Sequence, residues 1–262
     1  MNALFFGSLI LLFAASALQM IGSIFKKEKL SKIAWIVFLT AFAALSVFIV
    51  IRGISAKRVP LANQFEFATA FAWGICLMLA VLRLRYKADW ISAVAIPAAF
   101  IVLSYAALQP KEITDLMPAL KSSWFVFHIG SAVFSYSAFI IAGCVGLRYI
   151  LASKKENADE LKLHRMDYMS YRMIAFGFLM LTITILTGAL WAEQAWSSFW
   201  TWDPKEVWAL ITWIIYAVYL HLRLRSKKSG IKMAWFALIA VPVVLFTFAG
   251  VNTLIPELHS YG

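Results

Sequence analysis

Charge is scarce in this sequence of 262 residues: Asp, Glu, Lys and Arg make up 14% of it, where a water-soluble domain carries about a quarter. With 63% of the residues hydrophobic, water is excluded as the main solvent. Cysteine is nearly missing. Cys76 and Cys144 lie far apart in apolar runs, so there is no paired-cysteine motif, and two small buried side chains are a better reading than a redox role. No internal repeat, low-complexity segment or polar stretch of domain length occurs. No basic residue precedes the first apolar run, and a basic loop follows it, so that run is expected to persist as a helix rather than be cleaved. The apolar runs are continuous rather than alternating, which removes a membrane β-barrel.

What the sequence does have is apolar runs long enough to cross about 30 Å of hydrocarbon, which takes about 20 helical residues. Eight are read, at 3–25, 33–51, 65–82, 90–108, 124–151, 173–191, 207–224 and 233–251. The expected fold class is all-α, a polytopic membrane protein forming one transmembrane domain over 1–262. The longest connection is the charged stretch 152–172, expected to be a loop that contains His164. Pro97 and Pro242 fall inside spans and should kink them. Asn63 with Glu66 three residues later reads as a capping box opening the third helix.

The net charge of +11 is distributed as topology rather than as a nucleic-acid surface. Basic residues cluster in alternate connections: Lys26, Lys27, Lys29 and Lys32; Arg83, Arg85 and Lys87; Arg148 to Arg172; and Arg223 to Lys232. Such connections mark the inner side. Arg52, Lys57, Arg58, Lys111, Lys121 and Lys205 remain outside among acidic residues. Both termini are then expected on the non-cytoplasmic side.

Six of the 11 tryptophans, Trp191, Trp196, Trp200, Trp202, Trp208 and Trp213, lie in the segment WAEQAWSSFWTWDPKEVWALITW at 191–213. An interfacial aromatic belt would spread Trp among helix ends, as Trp35, Trp90, Trp124 and Trp235 are spread. Crowding six of them into one outward connection, together with Phe199, instead points to a flat apolar surface for a planar aromatic ligand. Asp203, Pro204 and Glu206 read as a well-formed helix start. Capping and ligand binding are compatible, because helix N–H groups and the dipole favour anions such as porphyrin carboxylates. Lys205 stands beside them.

Of the 4 histidines, His128 is expected about one turn inside the outer end of span five, and His259 after span eight on the same side. His221, 17 positions past Pro204, should sit about 25 Å deeper, near the inner face. Neutral imidazole is a good ligand for haem iron. A lone His near a helix end is more often an interfacial hydrogen-bonding residue, but two imidazoles beside an aromatic platform can hold one iron from both sides.

WTWDPKEVWALITWIIYAVYLHLR, residues 200–223, resembles the WWD signature of haem-handling membrane proteins, specifically the CcsA (ResC) family of System II cytochrome c biogenesis. WFVFHIGSAVFSYSAF at 124–139 and FAGVNTLIPELHSYG at 248–262 resemble the family segments that carry its two external histidines. PLANQFEFATAF at 60–71 is similar to the family's PLxNxYES segment, with Phe65 and Phe67 in place of Tyr and Ser. The resemblance covers 60–262, while 1–59, the first two spans, match only in hydropathy and topology.

The resemblance implies that His128 and His259 are axial ligands of haem b held, as substrate, on the WWD surface formed by Trp191, Trp196, Trp200, Trp202, Asp203, Lys205 and Trp208. It implies that His221 belongs to a haem site within the membrane. It also implies a CcsB (ResB)-like membrane partner, an apocytochrome c substrate with Cys-x-x-Cys-His motifs, and a thiol-reducing thioredoxin-like protein. The expected location is a bacterial cytoplasmic membrane with the site on its external face, a plastid thylakoid being the alternative. A haem carrier without synthase activity, a HemX-like regulatory protein and an electron-transfer cytochrome b subunit are the other readings. The carriers are shorter, with six spans, HemX-like proteins share the overall architecture but are not expected to carry the intact WDPKE block, and cytochrome b subunits bury their histidine pairs within the bilayer.

Overall fold

In the computed structural model, which describes residues 2–254, every regular element is helical. Eight helical segments are long and apolar enough to cross a membrane, and the chain is a multi-pass membrane protein. It folds as two compact units, Met1–Asp115 and Leu116–Tyr261.

The first unit contains α1 (Asn2–Ile24), α2 (Glu28–Ala56), α3 (Gln64–Tyr86) and α4 (Ser92–Ala107). A tight turn joins α1 to α2, with Lys26 at φ 52° and Lys27 N donating to Gly22 O at 2.9 Å. Asn63 caps α3, its side chain accepting from Glu66 N at 2.9 Å. The Glu66 carboxylate does more than a capping box predicts. Its Oε1 takes Arg52 Nε at 2.8 Å, and its Oε2 takes Arg58 Nη1 at 2.6 Å and Ala62 N at 2.8 Å. Arg52 also donates to the carbonyls of Lys111 and Glu112 at 2.9 and 3.2 Å. This buried network ties the end of α2, the start of α3 and the connection after α4 together.

The second unit contains α5 (Ser123–Ser153), α6 (Glu160–Trp196), α7 (Pro204–Leu224), α8 (Ile231–Ile239), α9 (Val241–Leu245) and α10 (Val251–Leu254). Helix α5 is its core, packing along α6 and α8. Ser135 Oγ donates to Gly177 O at 2.8 Å and Ser170 Oγ to Ala142 O at 3.3 Å, polar ties of the kind that join helices where lipid offers no hydrophobic drive. Gly146 lets α8 approach, since a Cβ there would stand 2.6 Å from Ala234 O. The last span is broken, as Pro242 predicts, between α8 and α9. A π-helical turn, Phe246–Gly250, adds a second irregularity.

Two sequence expectations are corrected. The charged stretch 152–172 is not a loop, because α6 begins at Glu160 and runs for 37 residues, about 55 Å at 1.5 Å per residue. Asp159 caps it, accepting from Lys162 N at 3.0 Å, while Leu163, Met166, Asp167 and Ser170 bury one face. A helix that continues past the hydrocarbon carries charge on its solvent side, and charge density alone imitates a loop. His164 is therefore an exposed residue of α6. The tryptophans, likewise, do not share one connection. Trp191 and Trp196 are on α6, Trp208 and Trp213 on α7, and only Trp200 and Trp202 lie between.

Replacing Glu66 by Ala would leave Arg52, 2% exposed, buried without its counter-charge. The expected cost is about 3–5 kcal/mol, measured as a lower melting temperature of the detergent-solubilised chain. An unchanged melting temperature would contradict this reading of the network.

Candidate functional site

Chain direction alternates through α5, α6 and α7, so the start of α5, the end of α6 and the start of α7 meet at one end of the second unit. His128 sits about one and a half turns into α5. Its Nδ1 lies 2.8 Å from Thr184 O on α6. A carbonyl oxygen can only accept, so Nδ1 carries the proton, and in the neutral ring the lone pair falls on Nε2. This is the arrangement that orients a metal-ligating imidazole. Behind the ring, Gly188 supplies space: a Cβ there would stand 2.7 Å from Nδ1. The Ser131 hydroxyl completes the seat, donating to His128 O at 3.0 Å and lying 2.9 Å from Thr184 Oγ1.

Trp191 stacks near the imidazole, with centroids 5.9 Å apart and planes 19° from parallel. It is 2% exposed, and its Nε1 donates to Ala119 O at 2.8 Å. Phe125 and Trp196 pack against it, Trp196 edge-on at 4.8 Å. Trp191 is thus a fixed pillar beside His128, with Trp196 half-buried next to it.

Helix α6 ends at Trp196 and is capped by Ser197, whose left-handed backbone lets its N–H reach Glu193 O at 2.9 Å. Six residues later Asp203 opens α7: its Oδ1 accepts from Lys205 N at 2.9 Å, Pro204 follows, and Glu206 closes the capping box. Glu206 reaches further back, accepting from Thr201 N at 2.8 Å and Asp203 N at 3.3 Å. Between these anchors Trp202 is held at φ 60°, a conformation costing a bulky residue about 1–3 kcal/mol, and its ring is 70% exposed. Trp200 meets it edge-on at 5.8 Å, and the Trp200 Nε1 is buried with no hydrogen-bond partner among the described residues. Trp208, one turn into α7, packs on Phe246 of the π-helical turn at 4.4 Å. Thr212 and Thr247 hydroxyls, 2.9 Å apart, join the same two segments.

The structure therefore gathers His128, Trp191, Trp196, Trp200, Trp202, Asp203, Lys205 and Trp208 at one end. His221, exposed in the last turn of α7, lies at the opposite end. His259 lies outside the described residues. Thr184, Gly188 and Glu206 belong to the site without having been singled out from the sequence in that role. Small residues one turn apart at 184 and 188, facing a helix that carries a histidine, were the available signal for the first two. What the arrangement offers is an apolar aromatic surface, an imidazole with an oriented lone pair, an indole N–H donor and a helix amino terminus, which together fit a flat macrocycle bearing a metal and carboxylates.

Residues 61–259 match the model of a family described as Cytochrome C assembly protein. The chain is 34% identical over 267 aligned positions to the cytochrome c biogenesis protein CcsA of Prochlorococcus marinus, covering 88% of this chain and 84% of that one. It is 35% identical to the CcsA of Guillardia theta over 274 positions, covering 92% and 90%. Among solved structures it is similar in fold to the cytochrome c haem lyase CcmF, with a TM-score of 0.71 and 14% identity. That likeness covers 94% of this chain and only 46% of the other, so this chain spans less than half of that protein's length.

Asp203→Ala removes the cap of α7 and is expected to cost about 1 kcal/mol. Hydrogen exchange of the amides at Thr201 and Lys205 should then accelerate several-fold, and unchanged exchange would mean that the cap does not hold this segment.

Proposed function

Because the chain belongs to the CcsA family of cytochrome c biogenesis proteins, we propose that it holds haem at the tryptophan-lined end of its second unit and presents it to apocytochrome c for covalent attachment. The observation that carries this reading is the His128 imidazole, whose Nδ1 is tied to Thr184 O so that Nε2 is the ligating nitrogen. His259 supplies the second axial ligand. It follows Leu254 by five residues, and five residues reach at most about 18 Å, too short to cross about 30 Å of hydrocarbon. Helix α10, which ends at Leu254, packs against α7, which supports both imidazoles serving one surface.

Trp196, Trp200, Trp202 and Trp208 form the platform, while Trp191 keeps His128 in place rather than meeting the ring. The start of α7 with Lys205 receives the carboxylates, as helix amino termini do for anions. Haem b is the substrate. In the reaction each apocytochrome thiol adds across a vinyl group: a C–S bond forms, the thiol proton goes to the other vinyl carbon, and no net oxidant or reductant is consumed. The chain needs no nucleophile of its own. Its contribution is orientation and ligation, and the histidine of the apocytochrome motif finally displaces one imidazole and releases product.

His221 takes part in haem uptake at the opposite end. Its exposure on α7 suits a site completed by a second membrane protein of the CcsB type. The clustering of basic residues in the connections at that end supports an orientation with that end inside and the tryptophan end on the external face, in a bacterial cytoplasmic membrane or a thylakoid.

His128→Ala and His259→Ala should each abolish the bis-imidazole haem spectrum of the purified chain with its partner and stop holocytochrome c formation, and added imidazole should restore part of both. Normal spectra and normal maturation in both variants would overturn the proposal. Gly188→Ala, which forces the His128 ring off its seat, should lower haem occupancy about tenfold, as expected when the contacts that orient a ligating imidazole are lost, while leaving the amount of folded protein unchanged. Full occupancy in that variant would show that Gly188 is not needed to seat the ring.

A further inference from the structure

At the opposite end of the second unit, the corner where α5 gives way to α6 encloses a cavity of about 240 Å³ lined by Arg148, Lys155, Asn157, Asp159 and Lys162 among others. Three cations face one carboxylate there, and that carboxylate is already engaged in capping α6 through Lys162 N. None of the three cations forms an ion pair among the described residues. The Nε of Arg148 is buried and has no hydrogen-bond partner among them. A buried donor left unmade costs about 1–3 kcal/mol, more when it is charged, so an orphan guanidinium N–H beside two lysines is a donor set awaiting an anion. The amino terminus of α6 adds its dipole to the same corner.

Depth narrows the choice of anion. Arg148 lies twenty positions after His128 on one continuous helix, about 30 Å along its axis, one hydrocarbon thickness. It is therefore at head-group level on the face away from the tryptophans. The cavity is smaller than the ~300 Å³ at which pockets for drug-sized ligands begin, too small for a porphyrin and suited to a single compact group. The planar fork of Arg, with two lysines as point charges, matches phosphate oxygens.

We propose that this corner binds one phosphate group, carried by an anionic lipid head group or by a free phosphate. Basic pockets between transmembrane helices bind head groups elsewhere, and here the bound phosphate would satisfy Arg148 Nε and fix the start of α6 against α5. The site is separate from the proposed haem surface, so either can fail without the other.

The test uses the full chain, purified and delipidated, with bound molecules counted by native mass spectrometry. Short-chain phosphatidylglycerol, phosphatidylcholine and inorganic phosphate are added separately and in competition. One phosphatidylglycerol per chain is expected, with phosphatidylcholine weaker. Arg148→Gln and Lys162→Gln should each lower that occupancy about tenfold, as for loss of a charge-assisted hydrogen bond, while Lys232→Gln, a basic change that does not line the cavity, should not. Retention of the lipid against excess inorganic phosphate identifies the head group as the source. Displacement by phosphate, or binding of phosphate alone with the same dependence on Arg148 and Lys162, identifies a free anion. If Arg148→Gln does not fold, Lys162→Gln, on the exposed side of α6, carries the test alone. Occupancy indifferent to both variants, or lowered equally by Lys232→Gln, overturns the proposal.

Discussion

The chemistry proposed for this molecule depends on one hydrogen bond, from the His128 imidazole to the Thr184 carbonyl at 2.8 Å. That bond fixes the ring's tautomer and its orientation at once, and much of the second unit is arranged around it. Trp191 walls the ring on one side, Gly188 keeps α6 from displacing it, and Ser131 ties the backbone of His128 to the same turn of α6. Oriented in this way, a neutral imidazole has the geometry that the proposed iron ligation requires. Unrestrained at the membrane surface, it would be one more interfacial side chain.

The tryptophan connection shows the opposite use of energy. Trp202 is held in a backbone conformation that a large side chain avoids, and its ring faces outward. The anchors are the Ser197 turn and Glu206, which gathers Thr201 and Asp203 amides onto a single carboxylate. Two anchored ends force the residue between them. Strain of this kind persists where the surrounding structure over-determines it, and it collects at functional sites. At the other end of the unit one carboxylate is structural: Asp167 accepts from Arg223 and from Gly230 N, holding the turn between α7 and α8 onto α6.

Much of this was legible in the sequence. Long apolar runs placed every helix but α6 to within about five residues, because hydrocarbon thickness imposes a length that no side-chain detail alters. Asp203, Pro204 and Glu206 announced their helix start, and the crowded tryptophans fall at the same end of the unit as His128. Other features were hidden for physical reasons. The amino-terminal turns of α6 are charged because they leave the hydrocarbon, and they read as a loop until Leu163 and Met166 are seen to be buried. Glu66 read as half of a capping box, yet it is the buried counter-ion of Arg52 and Arg58, a tertiary pairing that no local pattern encodes. The seat of His128 depends on Thr184 and Gly188, 56 and more positions away in sequence. Only the pairing of α5 with α6 brings them together.

Everything proposed for the tryptophan end turns on His128 being held as a neutral ring protonated on Nδ1, with Nε2 directed to ligation. Nitrogen-15 NMR of the haem-free chain, labelled at histidine and assigned by comparison with His128→Gln, reads that state directly. The expected His128 signal has a protonated, hydrogen-bonded Nδ1 and an unprotonated Nε2 at neutral pH. A ring protonated on Nε2 alone, or tautomers in free exchange, would contradict it.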